Sequence, residues 1–256
     1  MRIDIHTHLI TPGAVPSAAE LARAARLAQH FHIRRVVLLG NITATGGRNP
    51  SPEDIVAIND HTLAAMAARP ELYIGFCYLN PAHSPAFIQE EIDRCIVAGG
   101  MKGIKLWISV KATDPRLDLI MERARELNVP VLHHSWYQVT PVDHNGSTPD
   151  EIAHLARRHP GTTVIMAHLG GVRERGIRDI EELPNVYVDT SGSQPEAGMV
   201  EYAVRRIGAG RIIFGSDWPL RDFGVQLGRI VGADLTAEEN RKIFYDNAAK
   251  VLKLEE

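Results

Sequence analysis

Two histidines one residue apart, His6 and His8, sit at the end of a short apolar stretch that opens the chain, Met-Arg-Ile-Asp-Ile-His-Thr-His. In an extended strand, residues i and i+2 share a face about 6–7 Å apart, so both imidazoles would point the same way. Other polar groups end later apolar runs in the same manner. Lys105 stands in Gly-Ile-Lys-Leu-Trp, His133 and His134 close Val-Pro-Val-Leu-His-His, His168 follows Val-Ile-Met-Ala, and Asp217 follows Ile-Ile-Phe-Gly-Ser. Imidazoles with a carboxylate and no thiolate make an oxygen/nitrogen donor set suited to Zn²⁺, Mn²⁺ or Fe²⁺. Each residue alone means little, since a lone strand-end histidine is usually a hydrogen-bonded core residue and a strand-end Asp is often a helix N-cap. Taken jointly, at the same end of successive strands, they predict a metal centre.

The elements that would position these groups recur along the chain. Apolar, β-branched runs fall at Ile3–His8, Arg35–Gly40, Tyr73–Leu79, Gly103–Ile108, Val129–Ser135, Thr162–His168, Val186–Asp189 and Arg211–Gly215. Helical patterns lie between them, the first opened by Ser17-Ala-Ala-Glu20 with capping-box spacing. Further helices are expected from Pro52, over Pro85–Ala98, Asp114–Leu127, Thr148–Arg158 and Pro195–Ile207, briefly around Gly176–Leu183, and from Thr236 to about Leu252. Eight strand-helix units in 256 residues predict a closed (β/α)₈ TIM barrel, an α/β fold read as a single domain over 1–256. An open doubly wound sheet would carry a glycine-rich phosphate turn after an early strand, and the sequence has neither GxGxxG nor GxxxxGK[ST]. A barrel gathers its active site at the C-terminal rim from several strands, so residues more than two hundred positions apart can meet there. By simple alternation, Ile3, Ile5 and Thr7 would face the helices, and Asp4 would lie inside, one layer below His6.

Composition narrows the remaining classes. The chain is 45% hydrophobic and 23% charged, enough for a sizeable core, and its net charge of −3 argues against a nucleic-acid surface. No stretch approaches the ~20 apolar residues of a membrane span, and the start shows no secretory leader. Two cysteines, Cys77 and Cys95, without CxxC spacing, are expected to be reduced thiols in a cytoplasmic protein.

The phrases Asp-Ile-His-Thr-His, Pro-Val-Leu-His-His, Ala-His-Leu-Gly-Gly, Gly-Ser-Asp-Trp-Pro and Asn247-Ala248-Ala249 resemble the amidohydrolase superfamily, and most closely its amidohydrolase-2 branch. They run from residue 4 to residue 249. The resemblance implies that His6, His8 and Asp217 bind a divalent metal together with a histidine of the fifth strand. Strand parity does not choose between His133 and His134; the family motif places the ligand on His134. It also implies that His168 contacts water or substrate in one-metal members and binds a second ion in two-metal members. Asp217 would be both ligand and proton carrier. Zinc is the first expectation, with manganese and iron as alternatives, and one ion is expected, with two as the alternative. Lys105 would act as an ammonium near an interior carboxylate or a substrate anion; in some superfamily members a strand-four lysine is carboxylated and bridges two metals. The resemblance also implies that the barrel can be a homodimer.

Two chemistries follow. A metal lowers the pKa of bound water to ~7, and Asp217 can shuttle its proton, with His168 steering and Lys105 neutralising charge, which would hydrolyse a lactone or a related cyclic ester or amide. The alternative is a lyase, a metal-dependent decarboxylase of an aromatic or dienoic acid. Because such decarboxylases often run longer and this chain is close to a minimal barrel, the expectation is the hydrolase, lactonase-like. Arg48, Tyr137, His144, Arg173 and Arg175 fall in rim loops that would set specificity for a small molecule, and arginine there would grip a substrate carboxylate. Trp107 and Trp136 share the parity of Lys105 and His134 and are candidate pocket walls.

Overall fold

The computed structural model describes residues 1–11, 15–42, 47–137, 145–169, 171, 174–192 and 196–254. Strands and helices alternate. The chain runs β1 (Arg2–Thr7), α1 (Ala18–His30), β2 (Ile33–Leu38), α2 (Pro52–Ala68), β3 (Tyr73–Gly75), β4 (Cys77–Leu79) and α3 (Pro85–Ile92). It continues through β5 (Ile104–Leu106), α4 (Asp118–Leu127), β6 (Val131–His133), α5 (Pro149–Arg158), β7 (Val164–Met166) and α6 (Arg175–Asp179). It finishes with β8 (Val186–Asp189), α7 (Met199–Ile207), β9 (Ile212–Ile213), α8 (Phe223–Val231), α9 (Ala237–Arg241) and α10 (Asn247–Leu252). A π-helical stretch, Asp93–Ala98, extends α3 to the limit expected from the sequence.

All the strand pairs are parallel, in the orders β1-β2-β3 and β4-β5-β6-β7-β8-β9. The expected third strand, Tyr73–Leu79, is one barrel strand interrupted at Phe76: β3 pairs with β2, and β4 pairs with β5. Its backbone bridges the break, because the Phe76 amide donates to Leu38 (3.0 Å) and the Cys77 amide to Gly103 (2.8 Å). The ring closes where the Ile5 amide donates to Phe214 (3.0 Å), the Asp217 amide to His6 (2.7 Å) and the His8 amide to Trp218 (2.7 Å). The molecule is therefore a single-domain (β/α)₈ barrel.

Strand alternation divides the core into two shells. One face of the strands (Val36, Leu38, Leu79, Ile104, Leu106, Val131, Val164, Met166, Val188) packs against the helices with Leu21, Ala24, Ile88, Ile120 and Ile152. The other face fills the barrel with Ile3, Ile5, Val37, Ile74, Phe76, Leu132, Ile165, Tyr187 and Ile213, and α10 lays Ala248 and Leu252 against this cluster. Ile3 and Ile5 are thus inside, contrary to simple alternation, and Asp4 does not lie beneath His6. The cause is a register break between Asp4 and Thr7, where β1 advances three residues against two of β2. A bulge re-aims the side chains that follow it, so His6 and His8 also turn inward.

The helices start where local chemistry says they should. Ser17 and Glu20 form the expected capping box of α1, and Ser51–Asp54, Thr148–Glu151 and Thr236–Glu239 repeat the device. Each cap satisfies orphan amides and stabilises by about 1 kcal/mol. Helix α8 was not expected from the sequence: Gly224 and Gly228 interrupt its apolar stripe, and its start depends on Asp222 accepting from the amides of Gly224 and Val225. No helix among the described residues is long and apolar enough to cross a membrane.

Candidate metal centre

The seam between β1 and the segment after β9 forms the floor of the site. Asp4 staples it: its Oδ1 accepts from the amides of His6 (3.1 Å) and Ser216 (3.0 Å). Burial pushes the Asp4 carboxyl up to about 7. Across this seam, Asp217 Oδ1 lies 3.5 Å from His6 Nε2 and 3.6 Å from His8 Nε2. These gaps are too long for hydrogen bonds. Metal–ligand bonds of ~2.1 Å place two donors of one ion roughly 3–3.5 Å apart, so the three atoms are spaced like ligands.

The far nitrogen of each ring is already committed. His8 Nδ1 donates to the Gly40 carbonyl (3.0 Å). Gly40 has φ +90°, and a Cβ there would meet Ile58 Cγ2 at 2.7 Å, so only glycine gives that carbonyl its direction. His6 Nδ1 donates to Asp189 Oδ2 at 2.7 Å. With protons fixed on both Nδ1 atoms, both Nε2 atoms present lone pairs toward Asp217, the tautomer a metal requires. Burial, and then the positive charge of Lys105, drive the pKa of His6 well down and that of His8 to about 3, so both rings are neutral at pH 7.

His168 lies beside this cluster and His134 beside His168, although the donor atoms of His134 fall in neither group close enough to share one ion. His168 Nε2 lies 3.1 Å from His134 Nδ1, and the ring of His168 is 5.1 Å from that of His6. Burial holds both well below the usual histidine range. His133 is fully buried and points away: its Nδ1 donates to the His134 carbonyl (2.7 Å), and its Nε2 has no partner among the described residues. Lys105 projects inward beside Leu132, 1% exposed. Burial draws its ammonium down to about 8 against the pull of Asp189 and Asp217, while burial raises the Asp217 carboxyl to about 7 against the pull of Lys105. Backbone strain concentrates here, with φ +75° at His168, +44° at Leu169 and +62° at Asp217.

Two residues that the sequence reading passed over organise the rings. Asp189 ends β8, and its Oδ1 accepts from the amides of His168 (3.0 Å) and Ser191 (2.9 Å) and from the Ser191 hydroxyl. The Ser191 oxygen also touches Nδ1 of His168 (3.0 Å) and of His6 (3.2 Å). With its acceptor sites filled, Asp189 belongs to the hydrogen-bonded support, although it too lies close enough to His6 and His168 to form a potential cation group. The signal for Asp189 was present, an acidic residue closing an apolar run, the same signal that singled out Asp217.

The rim residues are placed unevenly. The Trp136 ring meets His168 edge to face at 5.6 Å, whereas Trp107 packs on Ile42, Ile55, Ile58 and Tyr78. The Tyr137 hydroxyl is shared between Asp150 (2.9 Å) and Asp179 (2.5 Å), and Arg175 stacks 4.2 Å over its ring, so these side chains tie Tyr137 to α5 and α6. The Arg48 carbonyl accepts from Ser109 Oγ (3.0 Å). His144 and Arg173 lie outside the described residues.

A barrel carrying these donors at its C-terminal mouth defines a metal-centred enzyme class. The chain belongs to the amidohydrolase family Amidohydro_2, whose model it matches over residues 3–254. Its relatives sharpen the comparison. The gamma-resorcylate decarboxylase of Polaromonas sp. strain JS666 is 22% identical over 288 residues, spanning 91% of this chain and 87% of the relative. The crystal structure of 2,6-dihydroxybenzoate decarboxylase from Rhizobium superposes with a TM-score of 0.75 at 20% identity over 99% of both chains. That of 5-carboxyvanillate decarboxylase from Novosphingobium aromaticivorans DSM 12444, complexed with manganese and 4-hydroxy-3-methoxy-5-nitrobenzoic acid, gives 0.74 at 18% identity, covering 91% of this chain and 80% of that one.

These findings overturn the expectation of a lactonase-like hydrolase. The curated relative is a decarboxylase and aligns along nine tenths of this chain, which favours the decarboxylase alternative over the hydrolase. The donor set is common to both chemistries, which is why it could not separate them. A divalent-metal site is supported, but zinc is not: the ion named in the relative's structure is manganese.

Proposed function

We propose that the protein is a divalent-metal-dependent decarboxylase of a small hydroxylated aromatic acid, with manganese as the ion. The observation that carries this reading is Asp217, a buried carboxyl facing two imidazole lone pairs inside a barrel related to aromatic-acid decarboxylases. His6, His8, His134 and Asp217 would hold the ion. The choice of His134 over His133 is supported by its reach to His168, whereas His133 faces away. When bound, the cation supplies electrostatic attraction for the substrate's oxygen atoms and polarises them.

The side chains do the rest. Asp217, beside the ion, would carry the proton that the ring carbon receives. The bond between that carbon and the carboxylate carbon breaks, its electron pair stays on the ring carbon, and the proton from Asp217 takes that pair as CO₂ departs. Lys105 stabilises the carboxylate left on Asp217 through the low-dielectric interior, and water then returns the proton, the hydroxide it leaves being taken up by released CO₂ as bicarbonate in solution. Trp136 and the His168 ring offer an aromatic wall for the substrate ring.

The test is CO₂ release from manganese-loaded protein given 2,6-dihydroxybenzoate, 5-carboxyvanillate and a panel of other hydroxybenzoates. In D₂O the product should carry deuterium at the carbon that lost its carboxylate. Folded, manganese-loaded protein that releases no CO₂ from the whole panel overturns the proposal.

A further inference from the structure

Helix α8 sends two side chains beneath the turn that leaves β8. Arg229 Nη1 donates to the Thr190 carbonyl at 2.8 Å and lies 3.5 Å from the carbonyls of Ser191 and Gly192. The same nitrogen donates to Gln226 Oε1 (2.8 Å), and Gln226 Nε2 donates in turn to the Gly192 carbonyl (2.8 Å). Gln226 is 2% exposed. Arg229 forms no ion pair with a carboxylate among the described residues. A half-buried guanidinium spent on main-chain carbonyls is costly to keep unless those carbonyls need holding.

What they carry explains the need. Thr190–Gly192 presents the Ser191 hydroxyl to two histidine rings and to Asp189. An Asp189 carboxylate can only accept hydrogen bonds. His6 Nδ1 must therefore carry the hydrogen that meets Oδ2, and the Ser191 hydroxyl must give its hydrogen to Oδ1. The Ser191 oxygen is then left to accept, so His168 Nδ1 also carries a hydrogen. Both rings are locked with Nε2 unprotonated. The lock holds only while the turn keeps the hydroxyl between Asp189 and the rings.

We infer that Arg229, seated on Gln226, is a positioning residue that clamps the Thr190–Gly192 turn and thereby fixes the ring tautomers of His6 and His168. Its consequence for metal binding rests on the metal-centre reading above, but the tautomers do not. Lysine at 229 keeps the charge but ends one bond short of the position that Nη1 holds against the turn, and leucine at 226 removes both polar contacts of the glutamine.

The experiment uses the full chain, free of metal. Long-range ¹H–¹⁵N spectra of the histidine rings are recorded for wild type, Arg229→Lys and Gln226→Leu, followed by manganese titration calorimetry. Wild type should show His6 and His168 as Nδ1–H tautomers; both variants should show mixed tautomers and bind manganese about tenfold more weakly. A purely architectural arginine would lower the melting temperature while leaving the tautomers and the manganese affinity of the folded protein unchanged. That outcome in Arg229→Lys overturns the inference, and Gln226→Leu decides the matter if Arg229→Lys does not fold. Absence of CO₂ release from wild type would sink the decarboxylase proposal while leaving the tautomer result intact.

Discussion

Replacing Asp189 with asparagine removes one charge and no volume, and the surrounding donors dictate how the amide must sit. Three donors converge on the present Oδ1: the amides of His168 and Ser191 and the Ser191 hydroxyl. Two of these are backbone N–H groups that cannot reverse, so the asparagine oxygen must take that side. Its NH₂ then faces His6 Nδ1 across the 2.7 Å now spanned by a hydrogen bond, donor against donor. The ring escapes by moving its proton to Nε2. That nitrogen faces Asp217 Oδ1 at 3.5 Å, so two donors of the metal set become a pair with each other. Loss of such support typically weakens metal binding 10–100-fold, about 1.4–2.7 kcal/mol. The metal-free fold keeps its hydrogen-bond count, so its stability should change by less than about 1 kcal/mol. Manganese calorimetry and urea unfolding in the presence of chelator measure the two quantities. An Asp189→Asn protein that binds manganese as tightly as wild type refutes the tautomer argument, and with it the view of Asp189 as the orienting group.

Other outcomes follow from the same structure. Asp217→Asn should lower CO₂ release by at least about 10²–10⁴-fold while the circular dichroism spectrum stays that of the folded barrel; retained turnover would remove Asp217 from the chemistry. Stripping the metal should lower the melting temperature, and manganese at a hundred times its dissociation constant should restore about 2.7 kcal/mol, roughly 5–10 °C for a chain of this size. Leu132, fully buried inside the barrel beside Lys105, should cost about 2–5 kcal/mol in urea unfolding when truncated to alanine. Burial raises the Glu91 carboxyl, but hydrogen bonds from Arg94 and Asn59 outweigh it and leave its pKa below the ordinary value. Its stabilising contribution is therefore present above the unfolded value of ~4.3 and lost as pH falls through the folded one, so the stability gap between wild type and Glu91→Gln should narrow below pH ~4. An unchanged gap at pH 3 would contradict that assignment.

Much of this architecture could be read from residue order because it rests on simple periodicities. Apolar runs bounded by helical stretches are what a buried parallel sheet requires, and several polar residues ending such runs face the mouth of the barrel, although His133 at the end of β6 does not. That reasoning brought His6, His8, Lys105, His134, His168 and Asp217 to one region. It failed where geometry departs from the period. The bulge after Asp4 breaks the alternation, so His6 and His8 face inward together with Ile3 and Ile5, and no pattern in Arg-Ile-Asp-Ile-His announces it. Helix α8 escaped notice because two glycines thin its apolar stripe, and Arg229 and Gln226 went unnoticed with it. Asp189 was visible but unremarked, since an acceptor that serves other side chains leaves no spacing signature of its own. Reaction type was illegible for a different reason: bond cleavage to water and bond cleavage to CO₂ can share the same cluster of donors.

The contact between the first strand and the last has a temporal meaning. On a ribosome His6 and His8 emerge more than two hundred residues before the carboxylate opposite them. Until then the nascent chain holds only half a chelate, too weak to capture a cation, and the opening strand has an unpaired edge. Cation capture should therefore coincide with ring closure, which makes manganese uptake a reporter of the last step of assembly.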